Sequence, residues 1–415
     1  MNSSDRYISL DALRGFAVLG ILLMNIISFA LPYAAYINPR AWGGDSIADV
    51  ATWAVTWMFF DGKMRALFSL LFGASTLLVI DKVEMAGGNG ILASRRRLFW
   101  LLLFGLAHYL LLWRGDILRF YAILGFIALL FAGQTPLTLV KWAFGLFLIF
   151  FLGLTAVAVS LYAMQASALA PGASADTLHN YRQMIDGLGA PGSVAILTEL
   201  LLYRGSFGGI VLHEVRALAN DMFDMLALAG LDTLGWMLLG MAMLKSGFLT
   251  GDWDLDQYRK TARHCFLIGL PPMIAMAAWV IASDFDPLRT ATSSFAWSFP
   301  FRIPLTVGFA ALLLWIVKQV PGHWLIVRVT AAGRMAFSNY LGTSLVMTAI
   351  FYGWGIGLFG QVSRAPLYGF VVLGWVLMLL WSKPWLDRFA YGPLEWLWRS
   401  LARGKVQAIR KSAAR

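Results

Sequence analysis

The 415-residue chain has a single cysteine, Cys265, so an internal disulfide is impossible and no CxxC pair exists to hold zinc. Its five histidines lie far apart and form no HExxH, so no metal site is expected. The GGNG run at 87–90 lacks the lysine and hydroxyl of a phosphate-binding P-loop. Charge is scarce too: 13% of residues are charged against 59% hydrophobic, which excludes an ordinary soluble domain. Ten-residue segments of alternating polarity are absent, which excludes a membrane β-barrel.

What is present is apolar length. Mean hydropathy is +0.70, and runs of about 20 apolar residues can each cross about 30 Å of hydrocarbon as a helix. About ten such regions are predicted: Phe16–Tyr33, an interrupted Val50–Ile80, Leu98–Trp113, Ile117–Ala132, Trp142–Leu161, Met222–Leu244, Cys265–Ile281, Ile303–Val317, Met335–Tyr352 and Leu367–Trp381. The fold class is therefore all-α, a polytopic transmembrane helix bundle. Most of the 33 Lys and Arg residues fall on one side if both termini are cytoplasmic, so the net charge of +11 reads as a topology signal with some pull toward anionic lipid. Nucleic acid is not an expected partner; membrane lipid is. Arg14 inside the first apolar region points to an uncleaved signal anchor rather than a removed signal peptide. The expected division is a membrane half over 1–163, an extracytoplasmic amphipathic insertion over 164–221, a second membrane half over 222–383 and a basic interfacial tail over 384–415.

Candidate functional residues are the charges that interrupt apolar runs, because each costs roughly 2.5 to 3.5 kcal/mol at the bilayer centre unless it faces protein or water. Asp61, Lys63 and Arg65 sit within WMFFDGKMRALFSLLFG. That region is too long for one straight span, and Gly62 is the obvious place for a break. Snorkelling of Lys63 to the outer interface is the plainer alternative. His108 lies about 8 Å before an outward turn that carries Asp116, and histidine is the side chain best suited to proton transfer near neutral pH. At the mouth of the first span Asp11 and Arg14 share a helix face, either as an interfacial ion pair or with Arg14 holding an anionic group. Asn25 lies about 17 Å deeper and needs a polar partner. Arg334, Ser338, Asn339, Tyr340, Thr343 and Ser344 load one further segment with polar groups, for helix packing or for binding. His213 and Glu214 read as surface residues of the insertion. The sharpest expectation is geometric: Asp61, Lys63, His108 and Asp116 should converge on one polar cavity.

Four segments, LDALRGFAVLGILLMNI, FFDGKMRALFSLLFGA, FGLAHYLLLWRGDILRFYA and GRMAFSNYLGTSLVMTAIFYGWG, resemble the YeiB-type family of bacterial inner-membrane proteins across nearly the whole chain. More remotely, the first two spans are similar to the transmembrane acyltransferase superfamily, which includes sugar O-acyltransferases and heparan-alpha-glucosaminide N-acetyltransferase. That resemblance implies a ten- or eleven-helix bundle, often a homodimer. It also implies transfer of an acyl group from cytoplasmic acyl-CoA, as co-substrate, to an extracytoplasmic hydroxyl or amine. Where the O-acyltransferases carry a histidine, this chain has Asn25.

Three functions are therefore weighed. In an acyltransferase, His108 is the base, Asp116 its orienter and Lys63 an oxyanion holder beside Asp61; Arg14, Asn25, Arg65, Arg334, Asn339 and Tyr340 bind substrate, with Arg14 and Arg334 taking the donor's phosphates. In a small-solute or proton-coupled transporter, Asp61, Lys63, His108 and Asp116 form a relay in a broken span. The third reading is lipid binding or scaffolding by the insertion and tail.

Overall fold

Helices dominate because apolar backbone in hydrocarbon must satisfy its hydrogen bonds within the segment. The computed structural model describes residues 3–411, with side chains from residue 8, and no β-strand is found among the described residues. In chain order the helices are α1 (Ser3–Ala30), α2 (Tyr33–Ile37), α3 (Ile47–Phe59), α4 (Lys63–Met85), α5 (Gly90–Leu111), α6 (Leu118–Ala128), α7 (Pro136–Leu169), α8 (Ala175–Gly187) and α9 (Val194–Tyr203). They continue with α10 (Phe207–Lys245), α11 (Leu255–Ala282), α12 (Pro287–Thr292), α13 (Phe299–Gln319), α14 (Trp324–Arg334), α15 (Ala336–Phe351), α16 (Arg364–Arg388) and α17 (Pro393–Arg403).

Seven of these stretches are long and apolar enough to cross a membrane: α1 from Ile8, α3 with α4, α7, α10, α11, α13 and α16. The protein is a helical membrane protein. The spans expected over Leu98–Trp113, Ile117–Ala132 and Met335–Tyr352 correspond to α5, whose first turns carry Arg95, Arg96 and Arg97, to α6, and to α15; the last two are apolar but short. Burial ranks the helices. The apolar window of α1 is 78% buried and that of α7 only 17%, so α1 is the central post and α7 presents Phe144, Leu148 and Leu152 outward, as a lipid-facing helix does.

One main core runs from Leu10 to Met378. Around α1 stand α4, α14, α15 and α16; α10 packs along α4 and α7, and α11 pairs with α13. The α4/α10 contact is backbone against backbone. A Cβ added to Gly73 would come within 2.0 Å of the Met237 carbonyl oxygen, and one on Gly240 within 1.9 Å of Leu70's. Small residues at such contacts let helices approach where no hydrophobic effect drives them together. The termini share a face: Trp398 of α17 donates to the Arg97 carbonyl at the start of α5, 2.9 Å away.

The break expected at Gly62 is present: α3 ends at Phe59 and α4 starts after Gly62, whose φ is +72°. Two expectations change. The second half of the insertion does not lie along the surface as a separate amphipathic segment: Phe207 onward is the start of α10, a 39-residue helix continuous with the following span. The polar segment around Arg334 is two helices rather than one. Met335 (φ −111°, ψ 27°) separates α14 from α15, so Arg334 and Ser338 do not share a helical face. Glu395 of α17 instead accepts hydrogen bonds from the Phe337 and Ser338 amides, at 2.8 and 3.0 Å, and from the Ser338 hydroxyl, at 2.5 Å, capping the exposed N-terminus of α15.

Candidate functional site

The break at Gly62 places three ionisable side chains inside protein. Lys63 is 0% exposed, and its Nζ donates to the Trp57 carbonyl at 2.8 Å, so it does not snorkel. Asp61 accepts from the Tyr36 hydroxyl at 3.0 Å and from Arg302 of α13 at 3.2 Å. Arg302 also donates to the Ser294 carbonyl. It lies against the break: a Cβ on Gly62 would stand 2.9 Å from its Nη1. Arg65, one turn on, forms a 2.5 Å ion pair with Asp232 of α10 and a 2.7 Å bond to Thr233.

A second polar centre forms where α5 turns into α6. Asp116 caps α6, accepting from the amides of Leu118 at 3.1 Å and Arg119 at 2.9 Å. Its Oδ1 also lies 2.8 Å from Nδ1 of His108, both side chains being fully buried. A carboxylate already accepting two N–H groups is an acceptor for a third, so Nδ1 carries the hydrogen and Nε2 the lone pair. Nε2 is buried and has no hydrogen-bond partner. Trp113 and Tyr340 pack against the imidazole, with ring centroids 6.2 and 5.2 Å away. Arg119 lies 3.4 Å over the ring of Tyr109, its Nε 4.0 Å from Asp116.

Two clefts flank this layer. One is lined by Val18, Ile21, Asn25, Phe29, Tyr340, Thr343 and Ser344. The other, on the face opposite the termini, is lined by Tyr109, Trp113, Arg114, Tyr203, Glu214, Tyr352 and Trp354. Phe29 of the first stacks on Trp113 of the second, with centroids 4.1 Å apart; His108 packs on Trp113 of one lining and Tyr340 of the other without itself lining either cleft.

The structure thus joins His108 to Asp116 and brings Tyr340 and Asn25 to the adjoining cleft. It does not join them to Asp61 and Lys63: no hydrogen bond or ion pair links the two groups among the described residues, and neither Asp61 nor Lys63 lines either cleft. The expected single cavity is two centres, because the break turns Asp61 toward α13. Asn339 is held inside packing. Its amide donates to Ala332 O and Ser382 Oγ and accepts from the Trp381 indole, leaving no hydrogen-bonding capacity for a ligand beyond one lone pair. Arg334 is exposed and reaches the Ala390 carbonyl at 3.4 Å. Arg14 pairs with Asp11 at 2.6 Å and donates to Ser75 at 2.5 Å. Arg97, Arg399 and Arg403 lie close enough to one another to interact electrostatically, and Arg14 is near Arg97 and Arg399.

Sequence reasoning passed over Arg119, Asp232, Arg302 and the burial of Glu214. The first three interrupt or border apolar runs, and the rule that singled out Lys63 applies equally to them. Among the described residues no group of three or more His, Cys, Asp or Glu side chains could hold a metal ion.

Residues 243–405 match the family model described as protein of unknown function (DUF418). Over 423 residues the chain is 31% identical to a protein of Escherichia coli (strain K12) named "Uncharacterized protein YeiB", covering 99% of this chain and 100% of that one. It is 32% identical over 424 residues to "Uncharacterized protein YxaH" of Bacillus subtilis (strain 168), covering 99% and 97%. A third relative, from Bacillus acidopullulyticus, is 24% identical over 401 residues. With helices, polar centres and end-to-end similarity in agreement, the chain belongs to the YeiB-type, DUF418 family of membrane proteins.

Proposed function

We propose that the protein is an acyltransferase of the bacterial inner membrane, with the termini face cytoplasmic. The observation that carries this reading is the His108–Asp116 pair: a buried imidazole oriented by a carboxylate, its basic Nε2 unpartnered, packed on one aromatic residue from each of two cleft linings, Trp113 and Tyr340. Such a pair is the machinery of general-base catalysis. His108 takes the proton from an acceptor hydroxyl or amine as that atom attacks the acyl carbonyl; the thiolate of coenzyme A leaves and is protonated in turn. Asp116 holds the tautomer and faces the imidazolium that forms. Tyr340, whose hydroxyl lies 3.4 Å from both the Ile117 amide and the Gly115 carbonyl, is placed to steady the developing oxyanion. On the termini face Arg14, Arg97, Arg399 and Arg403, opposed by Asp11 and Glu395, supply the positive charge that the phosphates of acyl-CoA require.

The test is coenzyme A release by the purified, reconstituted protein with acyl-CoAs of two to sixteen carbons and a panel of amine and hydroxyl acceptors. Release that falls with His108→Gln while the variant keeps its melting temperature supports the reading. No release by wild type, together with no thermal shift on adding any acyl-CoA, would sink it.

A second reading, a small-solute or proton-coupled transporter, is favoured by one observation: the helix break at Gly62 with buried Asp61 and Lys63 and the partly buried Arg302 around it. Proton-gradient-driven uptake by proteoliposomes would support that reading, and its absence across a broad solute panel would count against it.

A further inference from the structure

The cleft on the face opposite the termini has a composition that the acyl-transfer reading does not use. Its walls are aromatic, with Tyr109, Trp113, Tyr203, Phe207, Tyr352 and Trp354 around it; the enclosed cavity is about 10 Å³, room for about one water molecule, so a larger ion must part the side chains at its mouth. Within it lies Glu214, 2% exposed. One carboxylate oxygen accepts from the Tyr203 hydroxyl at 3.0 Å; the other, Oε2, is buried and has no partner. Tyr109 is near Glu214 too, but it has one hydroxyl proton, which Asp221 accepts at 2.7 Å, so the two carboxylates cannot both be served by it.

The surrounding charge does not compensate. Arg114 lines the cleft, but its guanidinium is engaged by Asp221 at 2.9 and 3.0 Å and faced by Glu199 at 3.7 Å. Three carboxylates therefore stand against one guanidinium, with His213 the other titratable neighbour of Glu214. Arg119 covers Tyr109 without lining the cleft, and Asp116 lies 4.0 Å from it. A buried carboxylate oxygen without a donor is unfavourable; a ring of aromatic faces with net negative charge attracts a cation. An anion is disfavoured by the charge, and a neutral polyol brings no charge to answer Glu214.

We propose that this cleft binds a small organic ammonium ion, its N–H or N–CH₃ groups against Glu214 Oε2 and its cationic centre among the aromatic rings. The site goes beyond acyl transfer and stands without it, although Trp113, shared with the His108 layer, would bring a bound amine next to the base. The same chemistry is offered by a free amine and by an aminophospholipid headgroup.

The test uses the full-length protein in phosphatidylglycerol nanodiscs at constant ionic strength. Ethanolamine and choline are titrated against glucose and acetate, with tryptophan fluorescence and melting temperature as readouts, since Trp113 and Trp354 line the cleft. The ammonium compounds should give saturable changes that glucose and acetate do not. Glu214→Gln, nearly isosteric and relieved of its unpaired charge, should melt no lower than wild type and bind at least tenfold more weakly. Trp354→Leu, at the cleft wall, should also weaken binding and serves if Glu214→Gln fails to fold. Adding phosphatidylethanolamine to the nanodiscs separates the sources: competition with ethanolamine assigns the site to a headgroup, and its absence to a free amine, the site being supported in either case. Glucose or acetate binding as well as the amines, no saturable response to any amine, or unchanged affinity in both variants would overturn the proposal.

Discussion

The break at Gly62 and the turn at Asp116 both carry buried ionisable groups, yet they differ in what is left over. At the break, both oxygens of Asp61 are used, by Tyr36 and Arg302, and Lys63 is tied to the Trp57 carbonyl; what is left is a donor, the buried Nε of Arg302, not a base. Helices distant in sequence are knotted together there. At the turn, Asp116 is fully used but His108 keeps a free Nε2 and packs on Trp113 and Tyr340, one from the lining of each cleft. Burial of charge in a membrane protein thus marks cost; a leftover donor or acceptor next to space marks a site.

Substitutions can break that contrast. The largest effect should come from His108→Gln, which removes the base and should lower acyl transfer by about 10²- to 10⁴-fold, while Lys63→Met, if it folds, should lower it only a few-fold; coenzyme A release measures both. Equal losses with unchanged melting temperatures would erase the distinction between the two centres. Next, Asp61→Ala leaves Arg302 uncompensated, at side-chain exposures of 13% and 15%, and should destabilise the protein by about 3 kcal/mol. Adding Arg302→Met should recover part of that loss in a double-mutant cycle read by unfolding in detergent. Full additivity would mean the pair holds nothing together. A smaller loss, about 1 to 2 kcal/mol, is expected of Gly62→Ala, from the φ of +72° and the contact with Arg302.

The smallest effect concerns Glu395, a carboxylate engaged by donors but remote from both clefts. Burial, opposed by its hydrogen bonds from Ser338 and Phe337, raises it above the ordinary 4.5. As pH rises past 4.5 the unfolded chain loses this proton first, so the folded state binds more protons in the window between the two values. Stability should therefore fall with rising pH until the folded group also ionises. Glu395→Gln should flatten that slope in pH-dependent melting; an unchanged slope would show the group titrates normally.

Composition and apolar run length made the helical membrane class readable, because the bilayer leaves the backbone few options. The break was readable too, since a glycine flanked by charges in an apolar run too long for one span has few other uses. His108 with Asp116 could be suspected because eight residues and a glycine turn allow the chain to fold back on itself. The partner of Asp61 could not be found that way: Arg302 is 241 residues distant, and periodicity tells which face a residue occupies, not what it faces. Glu214 was misjudged for the same reason. It is adjacent to exposed His213, yet one step around a helix turned it into an aromatic cleft.

The glycine seam between α4 and α10 has a mechanical consequence. Backbones in contact at Gly73 and Gly240 leave no side-chain layer to shear, so the first half of the chain and the helix after the insertion move as one piece. A carrier that rocks one half against the other would have to part along this line and along the equally close α1/α14 contact at Gly15 and Gly333. Any alternation of access must hinge elsewhere, and the α11/α13 pair, joined to the rest through α3, α4 and α1, is where a moving element would be sought.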